Sequence, residues 1–257
     1  MKLFVLLILL VLSFQAFASM NSRNLKEFCH DRESLSFVTS LAHEPENLMA
    51  FRNSGGIADL GICWWHSRFQ RNALYLTYYD PHAPKPNRQE AHSIILRLRH
   101  ARRVVKIPGF RNFQEFTRAH SSLIKSELED WQKFDGIFLG WMRGLQGQTS
   151  ISASDMKIKM DNLYQDVYVK GHIVYQMLQL KGLTAHSWLV VGMKKYSNGY
   201  DLKVVDSNLP SQTKLFEYRY GDRHLKTREG KAFTPYTQRT SDINQINRVI
   251  RNACRLI

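Results

Sequence analysis

Residues 186–210, HSWLVVGMKKYSNGYDLKVVDSNLP, contain the clearest fold signal in the chain. His186 to Met193 is apolar and favours a β-strand, Ser197-Asn198-Gly199 is typical of a turn, and Tyr200 to Val205 alternates between polar and apolar side chains. This pattern predicts an antiparallel hairpin late in the chain. Since helical spacing dominates the residues before it, we predict an α+β fold.

Polar residues at the ends of this hairpin form a candidate site. His186 opens the first strand, and Asp206 and Asn208 end the second. Opposed residues in an antiparallel pair share one face of the sheet. A three-residue turn at Ser197-Asn198-Gly199 puts both residues on the face of His186, with Asn208 the nearer. A two-residue Asn198-Gly199 turn puts both on the other face. We favour Asp206 as the partner of His186 and keep Asn208 as the alternative.

The segment GICWWHS, residues 61–67, supplies a candidate nucleophile. A glycine-rich stretch leads into a predicted helix that opens with Cys63 and stops at Asp80-Pro81. The first turn of a helix favours a thiolate, because its N–H groups are unpaired and its dipole end is positive. A buried structural cysteine is the other interpretation. Cys63 and His66 resemble half of a zinc site, but no second pair follows, so we expect no metal or cofactor.

A thiol nucleophile needs a general base, and the base needs an orienting group. Cys63, His186 and Asp206 occur in the order nucleophile, base and acid. This order, the Cys63-Trp64 step at a helix start and the late histidine-led hairpin resemble the papain-like cysteine peptidases. The resemblance implies a helix N-terminus with a nucleophilic Cys63, which faces an antiparallel sheet that carries the base His186 and an orienting Asp206 or Asn208.

The resemblance also implies the residues around this triad. We expect Asn208, Trp64, Trp188 and Gly61 to bind substrate or, for Asn208, to orient the histidine. The family usually has a glutamine as oxyanion donor six residues before the cysteine, and this chain has Ile57 there. Asn53 or backbone N–H groups are the replacements that we consider.

Three functions follow from these residues. The first is a thiol hydrolase that cleaves peptide bonds, or amide bonds of peptidoglycan, through a thioester. The second is a transglutaminase-like acyltransferase, because His186-Ser187-Trp188 and Val205-Asp206 resemble a His-x-Trp and strand-Asp pattern. The third is a non-catalytic protein on a peptidase-like fold that binds an anionic partner.

The start of the chain predicts export. Lys2, the apolar run Leu3 to Phe14 and the small residues of Ala16-Phe17-Ala18 are typical of a secretory signal peptide, 1–18, cleaved near Ala18. The run is too short for a spanning helix, and no later run is longer. We therefore predict a secreted or periplasmic protein without a transmembrane segment, with one domain over 19–257 and a helical lead over 19–50.

Charge and cysteine content agree with export. The chain has a net charge of +14, which favours anionic partners such as cell-surface polymers. The densest basic run is 97–106, and no nucleic-acid-binding motif accompanies it. In an oxidising compartment, three cysteines suggest one disulfide and one free thiol. We favour Cys29 with Cys254, near the two ends of the mature chain, which leaves Cys63 free.

The remaining periodicity predicts further elements. Glu90 to Arg99 and Phe113 to Phe134 are predicted helices, the latter capped by Asn112. A third helix is predicted from about Ser154 to Lys181, although Gly171 interrupts its pattern. Short strands are predicted at Val104 to Ile107 and Phe216 to Tyr220.

Overall fold

A computed structural model describes residues 21–56, 61–137, 150–180, 185–226, 232–238, 241–255 and 257. The predicted signal peptide, 1–18, lies outside these ranges. Eight α-helices are present in the described residues: α1 Leu25–Asp31, α2 Leu35–Leu41, α3 Cys63–Leu76, α4 Arg88–His100, α5 Phe113–Ala119, α6 Ser121–Ile137, α7 Ala153–Tyr164 and α8 Ser241–Cys254. A π-helical turn, Gln165–Val169, extends α7.

The strands of the described chain form two sheets. They are β1 Thr77–Asp80, β2 Val105–Pro108, β3 Val174–Gln179, β4 Ala185–Tyr196, β5 Gly199–Asp206, β6 Thr213–Arg219, β7 Leu225–Lys226 and β8 Ala232–Gln238. β1 and β2 pair in parallel. The larger sheet has the order β6-β5-β4-β3-β8-β7, and its pairs are antiparallel. Helices come first and an antiparallel sheet comes late, so the α+β prediction is confirmed.

The large sheet has an apolar core on each face. Leu189 and Val191 of β4 belong to the cluster that also contains the α3 side chains, such as Phe69. Trp188 and Val190, which alternate with them, belong to a second cluster with Met156 and Met160 of α7. Burial on both faces fixes the sheet between α3 and α7, which brings the start of α3 to the start of β4.

Three predicted helices differ from the structure, and the first two of them are shorter than predicted. The helix predicted from Cys63 ends at Leu76, and the next four residues form β1. The helix predicted over Phe113 to Phe134 is broken at His120, whose ring packs 5.0 Å from that of Phe116 and 5.7 Å from that of Phe110. The cap by Asn112 is confirmed, since its Oδ1 accepts from the Glu115 amide at 2.9 Å.

The predicted helix from Ser154 to Lys181 is wrong in its second half. Gly171 has φ +64°, a left-handed conformation that ends the helical segment, and Val174–Gln179 is a strand. β3 lies between β4 and β8 and is buried along its whole length. A strand that is buried on both faces lacks the polar–apolar alternation by which strands are usually identified.

A disulfide joins Cys29 of α1 to Cys254 of α8, as predicted, with an S–S distance of 2.02 Å. Cys63 is the free cysteine. The disulfide is compatible with an exported protein. Among the residues that the structure describes, no helix combines the length and the apolar character needed to cross a bilayer.

Candidate active site

Cys63 is the first residue of α3, and the loop before it is held in place by Asn53. The Ile62 amide donates to the side-chain Oδ1 of Asn53. Gly61 has φ +84°, and a Cβ at this position would lie 2.9 Å from the Asn53 amide group. Only glycine fits both constraints. Because the N–H groups of the first helical turn have no partner inside the helix, Cys63 is located where they favour a negative charge.

His186 links Cys63 to Asp206. Its Nε2 lies 2.8 Å from Oδ1 of Asp206, and its imidazole is close enough to the Cys63 thiol for the two side chains to interact electrostatically. The thiol itself lies 3.9 Å from the carbonyl oxygen of Ala185, the residue before His186. The His186 carbonyl accepts from Nε1 of Trp64 at 3.1 Å. The structure therefore brings the three predicted site residues together, with His186 hydrogen-bonded to Asp206 and in electrostatic contact with Cys63.

A β-bulge decides which face of the sheet Asp206 occupies. The hairpin loop is Ser197-Asn198, since Tyr196 pairs with Gly199, so neither of the two predicted turns is correct. This register alone would place Asp206 opposite Leu189, on the face that packs against α3. The register shifts by one residue between Val190 and Gly192, so Asp206 lies opposite Trp188 instead. Trp188 and His186 share a face, and the carboxylate therefore reaches the imidazole.

Asn208 has a different position from the one expected for the alternative orienting residue. Its backbone amide donates to Oδ1 of Asp206 at 2.9 Å, and its side-chain oxygen accepts from Nδ2 of Asn53 at 3.1 Å. The backbone N–H of Asn53 also donates to the Ser207 carbonyl at 2.7 Å. Asn53 thus connects the loop before Cys63 to the loop after Asp206, and its side chain is engaged at both ends. These contacts give Asn53 a positioning role, and the oxyanion-donor role considered from the sequence stays a prediction.

The two predicted tryptophans are buried supports of the site. Trp188 is fully buried and its Nε1 donates to Oε1 of Gln176 at 2.6 Å. Trp64 is 5% exposed and holds the His186 backbone. Trp64 is about as buried as Cys63, which is 7% exposed, and the substrate-binding role expected for both tryptophans stays a prediction. Gly61 shapes the loop, and Ile57 lies outside the described residues.

The charges of His186 and Asp206 stabilise each other. Burial disfavours the imidazolium, but the hydrogen bond with Asp206 and the interaction with Cys63 prevail and raise the pKa of His186 to about 10. Burial likewise opposes the carboxylate, and the hydrogen bond from His186 outweighs it and lowers the pKa of Asp206.

The signs of the two shifts define a pH window. His186 contributes stability that is complete below its unfolded pKa of about 6.5 and is lost as the pH rises through about 10. Asp206 contributes stability that is present above its unfolded pKa of about 4 and is lost as the pH falls through its lower folded pKa. The ion pair thus stabilises the fold from mildly acidic to alkaline pH.

Sequence reasoning missed two side chains behind the site. Ser187, which is fully buried, donates from Oγ to the Cys63 carbonyl at 2.8 Å and fixes the first turn of α3 against β4. His66 is 1% exposed, and its Nε2 lies 2.9 Å from the Phe51 carbonyl, to which it must donate. His66 is therefore a buried histidine whose Nε2 has a hydrogen-bond partner.

We expect His66 to make the protein sensitive to acid. Burial lowers the pKa of His66 to about 4, whereas the unfolded residue titrates near 6.5. The unfolded chain binds more protons between these values, so stability falls as the pH drops from about 6.5 to about 4. Urea denaturation should be measured at about pH 7 and at about pH 4.5. Between these two pH values, the free energy of unfolding should fall by about 2–3 kcal/mol more in wild type than in His66→Gln.

His30→Gln is the matched control, since His30 is exposed on α1. This variant should keep the wild-type pH dependence. Identical pH dependence of wild type and His66→Gln would contradict the assignment of His66 as a buried neutral imidazole.

Comparison of the chain with protein-family models, with curated proteins and with solved structures finds no match. Any function must therefore be argued from the residues and contacts of this chain.

Proposed function

We propose that this protein is an exported thiol hydrolase that cleaves peptide bonds, or amide bonds of peptidoglycan, and that it has a papain-like arrangement of nucleophile and base. The observation that carries the proposal is the proximity of Cys63 to His186, whose imidazole is hydrogen-bonded to Asp206. A thiol, an imidazole and a carboxylate in this order are the parts that nucleophilic acyl transfer requires.

The proposed reaction begins with a thiolate at Cys63 and an imidazolium at His186. The thiolate attacks the amide carbonyl, and the negative charge moves to the carbonyl oxygen. The unpaired N–H groups at the N-terminus of α3, where Cys63 lies, would favour this developing charge. The imidazolium donates its proton to the leaving amine as the C–N bond breaks, which leaves a thioester on Cys63.

Hydrolysis of the thioester completes the cycle. Neutral His186 takes a proton from water, the hydroxide attacks the thioester carbonyl, and the carboxylic acid leaves as the thiolate reforms. Asp206 stabilises the imidazolium in both half-reactions. The hydrogen bond from His186 favours the ionised carboxylate, and Nζ of Lys214, 3.7 Å from Oδ2, adds to this effect.

Detection of the thioester tests this proposal. Mature protein is mixed with p-nitrophenyl acetate, an activated acyl donor, and intact-mass spectrometry follows acylation. We expect one acetyl group on Cys63, a burst of p-nitrophenol, and neither in Cys63→Ala. Peptide mixtures and purified peptidoglycan fragments are then compared before and after incubation, with Cys63→Ala as the control in each case.

Two other outcomes point to other functions. Transfer of the acyl group to a dansylated amine, in preference to water, would favour the transglutaminase-like acyltransferase. Its support is the His186-Ser187-Trp188 pattern, in which Trp188 lies directly opposite Asp206. Absence of acylation, with Cys63 unreactive in the folded protein, would reject catalysis and favour a binding protein. The observation that supports a binding protein is the burial of Cys63, which is only 7% exposed.

A further inference from the structure

A groove of about 730 Å³ lies at the opposite end of α3 from Cys63, between the loop that follows β1 and the helix α4. The 14 residues of α3 separate the two places by about 20 Å. Apolar groups form much of the lining, among them Pro84, Pro86, Pro108 and Ile94. Prolines have a fixed φ, so these walls are stiff.

The groove has more positive than negative charge. Lys85, Arg97 and Lys106 line it, and Glu90 is the one carboxylate among its lining residues. Glu90 is engaged by the Asn87 amide, as part of the N-terminal cap of α4. Lys106 pairs with Asp80 at 2.7 Å, outside the lining.

Lys85 and Arg97 form no salt bridge among the described residues, although the charge of Lys85 also acts on the carboxylate of Glu115. Nη2 of Arg97 donates to the Ser93 hydroxyl at 2.9 Å, and Nζ of Lys85 lies 5.3 Å from the ring centroid of Phe110. Both side chains are exposed. The exposed Arg102 and Arg103 follow in the same basic run, 97–106. Exposed cations without a salt bridge, above an apolar floor, complement a ligand that is anionic and partly apolar.

We infer that this groove is a docking site for an extended acidic peptide segment of another protein, in which apolar side chains alternate with Asp or Glu. Alternate side chains of an extended chain point in opposite directions, so one set meets the apolar floor and the other meets the cations on the rim. Carboxylates match the planar guanidinium of Arg97 and the ammonium of Lys85. The inference does not depend on catalysis at Cys63.

Other anionic partners fit less well. Single-stranded nucleic acids bind through bases stacked on aromatic side chains, and no aromatic residue lines the groove. Membrane surfaces bind protruding apolar side chains, and none of the exposed large apolar residues of the described chain lies between 80 and 110. A sulfated glycan offers no apolar groups to the floor.

Fluorescence anisotropy tests the inference on full-length mature protein that carries Cys63→Ala, so that the probe is not cleaved. The probe is a fluorescein-labelled peptide in which glutamates alternate with leucines, and the control peptide has glutamine at every glutamate. We expect saturable binding of the acidic peptide that weakens with salt. The variant Lys85→Glu/Arg97→Glu should bind it about tenfold more weakly.

The matched control is Lys26→Glu/Arg248→Glu, which makes the same charge change at exposed positions on α1 and α8. Its affinity should stay within about twofold of wild type. Equal weakening in both double variants would show a net-charge effect and overturn the inference, as would equal binding of the acidic and glutamine peptides. Tighter binding of a heparin fragment or an RNA oligonucleotide, lost in Lys85→Glu/Arg97→Glu, would replace the peptide with that partner.

Discussion

Replacing His186 with alanine is expected to slow the alkylation of Cys63 by iodoacetamide about 100-fold at about pH 6. An ordinary thiol, with a pKa near 8.5, is less than about 1% ionised at that pH. A neighbouring imidazolium favours the thiolate, which is the reactive form of a thiol. The raised pKa of His186, about 10, means that this imidazolium persists across the neutral range. The difference between wild type and His186→Ala should become small near pH 9, where an ordinary thiol also ionises.

The design separates this pair from a general effect of histidine removal. His82→Ala, in the exposed loop after β1, should react like wild type. Asp206→Ala should lie between wild type and His186→Ala, because the imidazole remains but loses its anionic partner. Circular dichroism and urea denaturation establish that each variant is folded. Equal labelling rates in wild type and His186→Ala at pH 6 would mean that Cys63 is not activated, and the proposed hydrolase would be abandoned.

Loss of the Cys29–Cys254 disulfide is expected to produce the largest change in stability. The bridge closes a loop of 225 residues, and the chain-entropy relation gives about 5 kcal/mol for a loop of this size. Its loss also frees α8, whose Asp242 pairs with Nη2 of the buried Arg71 on α3 at 3.0 Å. Urea denaturation of Cys29→Ser/Cys254→Ser should show a free energy of unfolding that is about 2–5 kcal/mol lower than that of wild type.

Cys63→Ser is the control, since it makes the same atomic change without removing a cross-link. Its expected loss is about 1 kcal/mol. Wild type treated with a thiol reductant should unfold at the same urea concentration as the double serine variant. A double variant as stable as oxidised wild type would show that the bridge adds nothing, and that packing of α8 alone joins the two ends of the chain.

The sequence was sufficient to predict the hairpin, the start of α3 and the pairing of Cys29 with Cys254. These features depend on local patterns or on a small number of choices. The strand β3 was not predictable in the same way, because Val174–Gln179 is buried on both faces and its apolar run also fits a helix. The break at His120 depends on ring packing against Phe110 and Phe116, which only the tertiary structure supplies.

For the site, the residue types were predictable and their contacts were not. The choice between Asp206 and Asn208 depends on a backbone irregularity near Val191 that leaves no signal in the side chains. The role of Asn53 depends on contacts with Ile62 and Asn208, the latter 155 residues away in the chain. The one local signal at Asn53 is its position just before Gly55-Gly56 and Gly61, a stretch that needs an anchor.

The extra residue in β4 also limits which insertions and deletions the hairpin can accept. With the two-residue Ser197-Asn198 loop kept, gaining or losing one residue within β4 or β5 between His186 and Asp206 would reverse the side of the sheet on which Asp206 emerges. A second compensating change anywhere between His186 and Asp206 would restore it, and the added residue near Val191 is one such change. The site therefore requires, in addition to its side chains, that any change in the number of residues between His186 and Asp206 within the two strands is a change by two.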